Sequence, residues 1–187
     1  MARGTLLLAA LLTLSAGCAS DPAKRQKIVS DEVARLRPPQ VALASYGIFE
    51  VLPVAIAPDV AAKADKLEVA NRLGRDLETR LQPMLKKWEV SASPEARSRT
   101  LVIQVAVNSI HVVSGGARFW VGAFAGKSNV DVDLKLTDKQ SGQVVAGERI
   151  NKSSDAMAGA WSIGSSDRSL PEYVVEIVLE YLARNHG

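Results

Sequence analysis

Four sets of residues carry groups that could do chemistry. The stretch from Gly122 to Ser128, GAFAGKS, has the composition of a phosphate-binding loop. Such a loop needs four residues between its glycines and must open a helix whose N–H groups hold the phosphates. Gly122 and Gly126 have three between them, and Ser128 runs into an alternating, strand-like stretch. Spacing and context both fail, so no nucleotide is expected. The stretch from Ala160 to Gly164, AWSIG, approximates a nucleophile elbow around Ser162, and Asp167 and His186 follow in the chain order of a Ser-Asp-His triad. The elbow requires a buried strand directly before the serine. Residues 153–160 do not read as one, and the chain lacks the parallel βα units of that fold. A serine hydrolase using Ser162 is therefore the minor alternative, and no catalytic residue is assigned. Only His111 and His186 offer imidazoles, while Asp131 and Asp133 share one face of a strand and read as solvating the outer face of a sheet. No metal and no other cofactor is expected. The fourth candidate is Cys18, the only cysteine, which excludes a disulfide framework within one copy.

The neighbourhood of Cys18 gives it a role. Arg3 is a short positive region, Leu6 to Leu14 is an apolar run with one Thr in it, and small residues lead into the cysteine. This is the layout of a secretory signal, and the run is too short for a bilayer-spanning helix, which needs about 20 residues. The end of the segment, Leu14-Ser15-Ala16-Gly17-Cys18, resembles the lipobox of bacterial lipoproteins, with Ser15 where the family usually has Leu. The resemblance implies removal of residues 1–17 and a diacylglyceryl thioether plus an N-acyl chain on Cys18. A single acyl chain holds a protein only marginally, whereas several chains hold it firmly. The residue after the cysteine is Ala19 and not Asp, which by the family's sorting rule implies the outer membrane, with the protein facing the periplasm.

A further feature is physical and not catalytic. Arg118, Phe119, Trp120, Val121 and Phe124 fall close together in a chain with only 5% aromatics, and Gly115, Gly116, Gly122 and Gly126 surround them. Trp161 is the one large residue of a small, polar stretch. Either these side chains cap the core under the helices, or they form an exposed apolar patch, rimmed by Arg118, that docks a partner or the membrane interface.

Elements must position these residues. Residues 18–44 are polar, with Pro38-Pro39 near the end, and read as a tether holding at most a short helix over Lys27 to Leu36. Tyr46 to Ile56 is apolar and reads as a strand that Pro53 confines to an edge or ends. Leu67, Ala70, Leu73, Leu77, Leu81 and Met84 recur at helical steps, and Pro83 should kink or end that helix. Trp88 to Val90 reads as a short strand. Thr100 to Val113 is the strongest strand. Val130, Val132, Leu134 and Leu136 alternate with polar residues, a turn follows at Asp138 to Gly142, and Val144 to Ile150 returns as a hairpin partner. Ser169-x-x-Glu172, with Pro171, predicts the start of a second helix through Leu182. The expectation is one α+β domain over residues 45–187, a two-layer sandwich of a mostly antiparallel sheet with two amphipathic helices packed on one face.

Charge excludes a class of partner. The net charge of +3 includes Arg3, and Lys and Arg are interspersed with acids, which is no footprint for nucleic acid. Taken with the lipobox, the hairpin and the stretch WSIGSSD from Trp161 to Asp167, the chain resembles small bacterial envelope lipoproteins classed as a domain of unknown function. Asp138, Ser141 and Gly142 fit their Asp-x-x-(Ser/Thr)-Gly turn, with one extra residue. The resemblance implies an α/β envelope domain and supplies no catalytic residue. Three functions follow as expectations. The first is a non-enzymatic anchored protein that binds another envelope protein or component through its sheet edge or aromatic stretch. The second is a transport accessory holding an apolar ligand between sheet and helices, and the third is the Ser162 hydrolase.

Overall fold

The computed structural model describes residues 22–111, 128–153 and 166–187, the last of these with side chains from Ser169 onward. Its elements are α1 (Pro22–Val33), β1 (Ile48–Val51), β2 (Ala55–Ile56), α2 (Pro58–Ala61), α3 (Ala64–Ser91), β3 (Thr100–His111), β4 (Asn129–Asp138), β5 (Val144–Ser153) and α4 (Ser166–His186).

Alternating apolar residues build one face of the sheet. Leu101, Ile103, Val105 and Val107 of β3 and Val130, Val132, Leu134 and Leu136 of β4 are all buried. They stand opposite one another in register, Ile103 beside Leu136 and Val105 beside Leu134. The strand order is β1-β3-β4-β5, with β2 also on β3. The long β3–β4 and β4–β5 pairings are antiparallel, while β1 and β2 both run parallel to β3. The expected α+β two-layer sandwich is the architecture found, with a mixed sheet. The parallel pair arises because α3 carries the chain back between β2 and β3, as a parallel connection requires.

The helices lie on the apolar face. Ala70, Leu73, Leu77, Leu81 and Leu85 form the buried stripe of α3, and Leu170, Val174, Ile177, Val178, Tyr181 and Leu182 that of α4. Gln104, Asp133, Lys135 and Arg149 sit on the other face, half-buried or exposed. Asp131 shares that face but is buried, because Arg149 grips its carboxylate through two contacts, Nε–Oδ1 at 3.0 Å and Nη2–Oδ2 at 2.5 Å.

Four expectations need correction. Residues 22–33 are not tether but α1, whose Val29 and Val33 are buried in the core. Arg25 holds α1 to α4 through Glu172 at 2.8 Å and Glu176 at 2.7 Å, and Lys152 of β5 pairs with Glu32. The segment reads as polar because this helix buries only a narrow apolar stripe and attaches the rest by ion pairs. Second, α3 continues past Pro83 to Ser91. One lost backbone bond is outweighed by the packing of Leu81, Leu85 and Trp88 on either side. Third, Trp88 to Val90 is therefore helix, not strand. Fourth, α4 opens at Ser166, three residues before the expected capping box. The hairpin turn is as read: Gly142 adopts φ +70°, the left-handed conformation glycine accepts most readily.

Candidate functional site

The two edges of the sheet are treated differently. Along β5, the chain that follows α1 lies over the edge. Gln40 donates its N–H to the Val145 carbonyl at 2.8 Å, Arg37 reaches the Gly147 carbonyl and the Glu148 carboxylate, and Pro38 and Pro39 between them offer no donors. Such a cover blunts an edge against pairing with another chain.

The β1–β2 edge has no such cover among the described residues. Every residue from Ile48 to Ile56 keeps solvent contact, and Ile48 is 45% exposed. Pro53 breaks this edge as expected, but does not end it. From Val51 to Ala55 the chain advances four residues, while β3 advances three, from Ile103 to Ala106. The extra residue bulges the edge outward at Leu52–Val54. Pairing resumes on both sides, with the N–H of Leu52 on the Ile103 carbonyl and that of Ala57 on the Val107 carbonyl, both at 3.0 Å. The alternate donors point outward. That of Phe49 is met by the Glu89 carboxylate at 3.3 Å, and that of Val51 faces the same way by strand alternation.

Under the bulge lies a groove of about 360 Å³ between the edge and α3. Val51, Val54 and Ile56 line one side and Ala70 and Leu77 the other, with Asn71, Arg75, Glu78 and Gln82 along the rim. Gly74 stands in the groove wall, where an added methyl group would make only ordinary contact with Val54, at 3.5 Å.

At the start of β1 the groove gives way to an aromatic corner. The imidazole of His186 stacks on the indole of Trp88 at 4.0 Å between centroids, and Phe49 leans on Trp88 at 5.6 Å. Burial pushes the His186 pKa below its ordinary value. His186 is thus packed, not frayed as its place near the chain end suggests. Sequence reading missed this corner because Phe49, Trp88 and His186 come from three distant elements.

The strongest ionic cluster is structural. Asp138 closes the β4–β5 turn: one carboxylate oxygen accepts the N–H of Ser141 at 2.9 Å and its O–H at 3.1 Å. The other accepts from Arg99 at 2.7 Å and from the Tyr46 hydroxyl at 3.1 Å, and the Arg99 guanidinium lies 4.5 Å over the Tyr46 ring. The Ser141 N–H, with Arg99 next, holds the Asp138 pKa well below the usual carboxylate range. A carboxylate so committed is a clamp, not a base.

Cys18, Arg118, Phe119, Trp120, Phe124, Trp161 and Ser162 lie outside the described residues. Ser128, which follows the GAFAGK stretch, leads into β4 and not into a helix. Among the described residues there is no group of side chains fit to hold a metal ion, and no helix long and apolar enough to cross a membrane.

Residues 32–159 match the domain of unknown function DUF4410. The chain belongs to the DUF4410 family. The match begins inside α1 and covers the whole sheet, so the β1–β2 edge lies within the DUF4410 domain. No curated protein matches the chain. Among solved structures, the DUF4410 chain is similar to PelC from Paraburkholderia phytofirmans, solved as a dodecamer. Identity is 20%, over 79% of this chain and 94% of that one, with a TM-score of 0.44. It is also similar to a candidate lipoprotein from Caulobacter crescentus CB15, at 18% identity over 87% and 98%, TM-score 0.36. A Xanthomonas campestris protein of family DUF330 is 12% identical over 78% and 86%, TM-score 0.40. At these values the likeness is remote.

Proposed function

We propose that this DUF4410 protein is a non-enzymatic lipoprotein, acylated on Cys18, that faces the periplasm from the outer membrane and binds another envelope protein through its β1–β2 edge. The observation that carries the binding role is the contrast between the edges. The β5 edge is closed by residues 37–40, while the β1–β2 edge is bulged and mostly apolar, and no strand or loop among the described residues lies over it, only the Phe49 N–H being met, by Glu89. An open edge with outward donors and an adjoining groove suits an added strand, with the backbone supplying affinity and the groove specificity. Cys18 within its lipobox supports the anchor, and the self-satisfied Asp138 and Asp131 pairs support the absence of catalysis. The test is a photo-crosslinking residue at Ile48 or at Lys135, on the opposite sheet face, in living cells. Capture of a discrete partner from position 48 and not from 135 is the expected result; equal capture, or none from 48, removes the binding role.

The groove favours a second reading, a transport accessory. Its apolar lining and its volume fall within the range of small-ligand sites. Lipid that co-purifies with the protein and is lost on Gly74→Phe would favour it over edge pairing. Hydrolysis by Ser162 is excluded if the purified protein turns over no ester, or if Ser162→Ala leaves turnover unchanged.

A further inference from the structure

Which end of the domain meets the bilayer follows from the fold, granted the acyl anchor on Cys18 proposed above. Only Ala19 to Asp21 separate Cys18 from the start of α1. At the full reach of an extended chain, these steps span about 14 Å. A flexible segment from Cys18 to residue 44 would instead have a typical end-to-end distance of ~30 Å and would leave the domain free to tumble. Because α1 is docked on α4, its first turn fixes the body against the anchor.

Side-chain contacts show where that first turn lies. Arg25 meets Glu172 and Glu176, Gln26 meets Glu180, and Ser30 meets Arg184, so α1 and α4 run parallel. Arg80 approaches Glu176 and Trp88 stacks on His186, so α3 runs the same way. His186 also reaches Phe49 at the start of β1, with ring centroids 6.4 Å apart. Helices α3 and α4 therefore end beside the start of β1 and begin at the opposite end of the sheet; α1 lies toward that opposite end as a whole, its first turn beside Glu172 in the first half of α4 and its Glu32 paired with Lys152 near the end of β5. There β3 stops, β4 starts and β5 stops, with His111 beside Asn129 and Asn129 beside Ser153.

We infer that the end of the sandwich where α1, α3 and α4 begin faces the lipid bilayer. The Asp138 turn and the Phe49–Trp88–His186 corner then point away from it. The open β1–β2 edge stands along the membrane normal, so a partner approaches from the side and not from above.

Helix α3 is a ruler for this. Lys63 precedes its first residue and Val90 closes its last turn, both are exposed, and at the rise of a helix they are roughly 40 Å apart. With the only native thiol acylated, Lys63→Cys and Val90→Cys each add a unique site for an environment-sensitive fluorophore. The acylated variants are reconstituted into phosphatidylethanolamine–phosphatidylglycerol vesicles carrying a quencher on the head groups. The label at position 63 should lose most of its emission and the label at 90 should keep it. Equal quenching, or stronger quenching at 90, in protein that floats with the vesicles overturns the orientation and leaves the anchor standing. Protein that does not float overturns the anchor, and the orientation with it.

Discussion

The imidazole of His186 lies flat on the indole of Trp88, 4.0 Å between centroids and within 10° of parallel. This stack joins the last turn of α4 to the last turns of α3, and burial lowers the His186 pKa from 6.5. A lowered pKa means that the fold favours the neutral ring. The stabilisation is fully present above about pH 6.5 and is lost as the pH falls through the lower folded-state value. Thermal melts should show Tm falling as the pH drops below that point, and His186→Phe, which keeps a stacked ring without a titrating group, should flatten the fall. An unchanged pH profile in His186→Phe would count against the stack as its source.

Tyr46 buries its hydroxyl against Asp138 at 3.1 Å. Tyr46→Phe keeps the ring under Arg99 and removes two hydrogen bonds, the one donated to Asp138 and the one accepted from Arg99 at 3.3 Å, for an expected loss of about 1–2 kcal/mol. Asp138 itself titrates in a separate window. Its depressed pKa contributes stability above about 3.8, which is lost on further acidification, so Asp138→Asn should reduce the acid sensitivity of the melt below that pH. A Tyr46→Phe protein as stable as the parent, by denaturant titration, would show that the hydroxyl is not part of the clamp.

Gly142 stands at φ +70° with nothing within 4 Å of where a methyl group would go. Gly142→Ala therefore isolates the backbone term, and about 1 kcal/mol of destabilisation is expected from the left-handed conformation alone. Denaturant titration measures it, and a neutral or stabilising result would contradict the turn geometry.

Much of this fold was legible because its signals are local. Alternation gave β3 and the β4–β5 hairpin, Asp138 and Gly142 gave the turn, and the spacing of Leu73, Leu77 and Leu81 gave α3. What escaped depends on distant partners. The place of α1 is set by Glu172, Glu176 and Lys152, and nothing within residues 22–33 announces them. Pro83 signals a stop that Leu85 and Trp88 override by tertiary packing. The parallel setting of β1 and the open edge it creates become visible only once β3 lies beside it. The lipobox and the aromatic stretch were read from the sequence, and they remain sequence features.

Val33 tests the docking of α1. It is 3% exposed within the shared core, so Val33→Ala should cost about 2 kcal/mol. By the usual scaling for a domain of this size, that is a fall in Tm of roughly 6 °C. A solvated tether would tolerate the change with no shift in the melt.

Ile48 tests the edge, with Val90 on the outward side of α3 as the control. Both are exposed and add little to the core, so Ile48→Glu and Val90→Glu should leave Tm within about 1 °C of the parent. Capture of a partner from a crosslinker at Val54 should fall sharply in Ile48→Glu and persist in Val90→Glu. Undiminished capture in Ile48→Glu would place the binding surface elsewhere.

The central claim is that Cys18 carries the lipid that holds this domain to a membrane. Metabolic labelling with radioactive palmitate, followed by purification, tests it directly. The account predicts label in the parent protein and none in Cys18→Ser, with the variant released from the membrane fraction. A Cys18→Ser protein as heavily labelled and as firmly sedimented with membranes as its parent would contradict it.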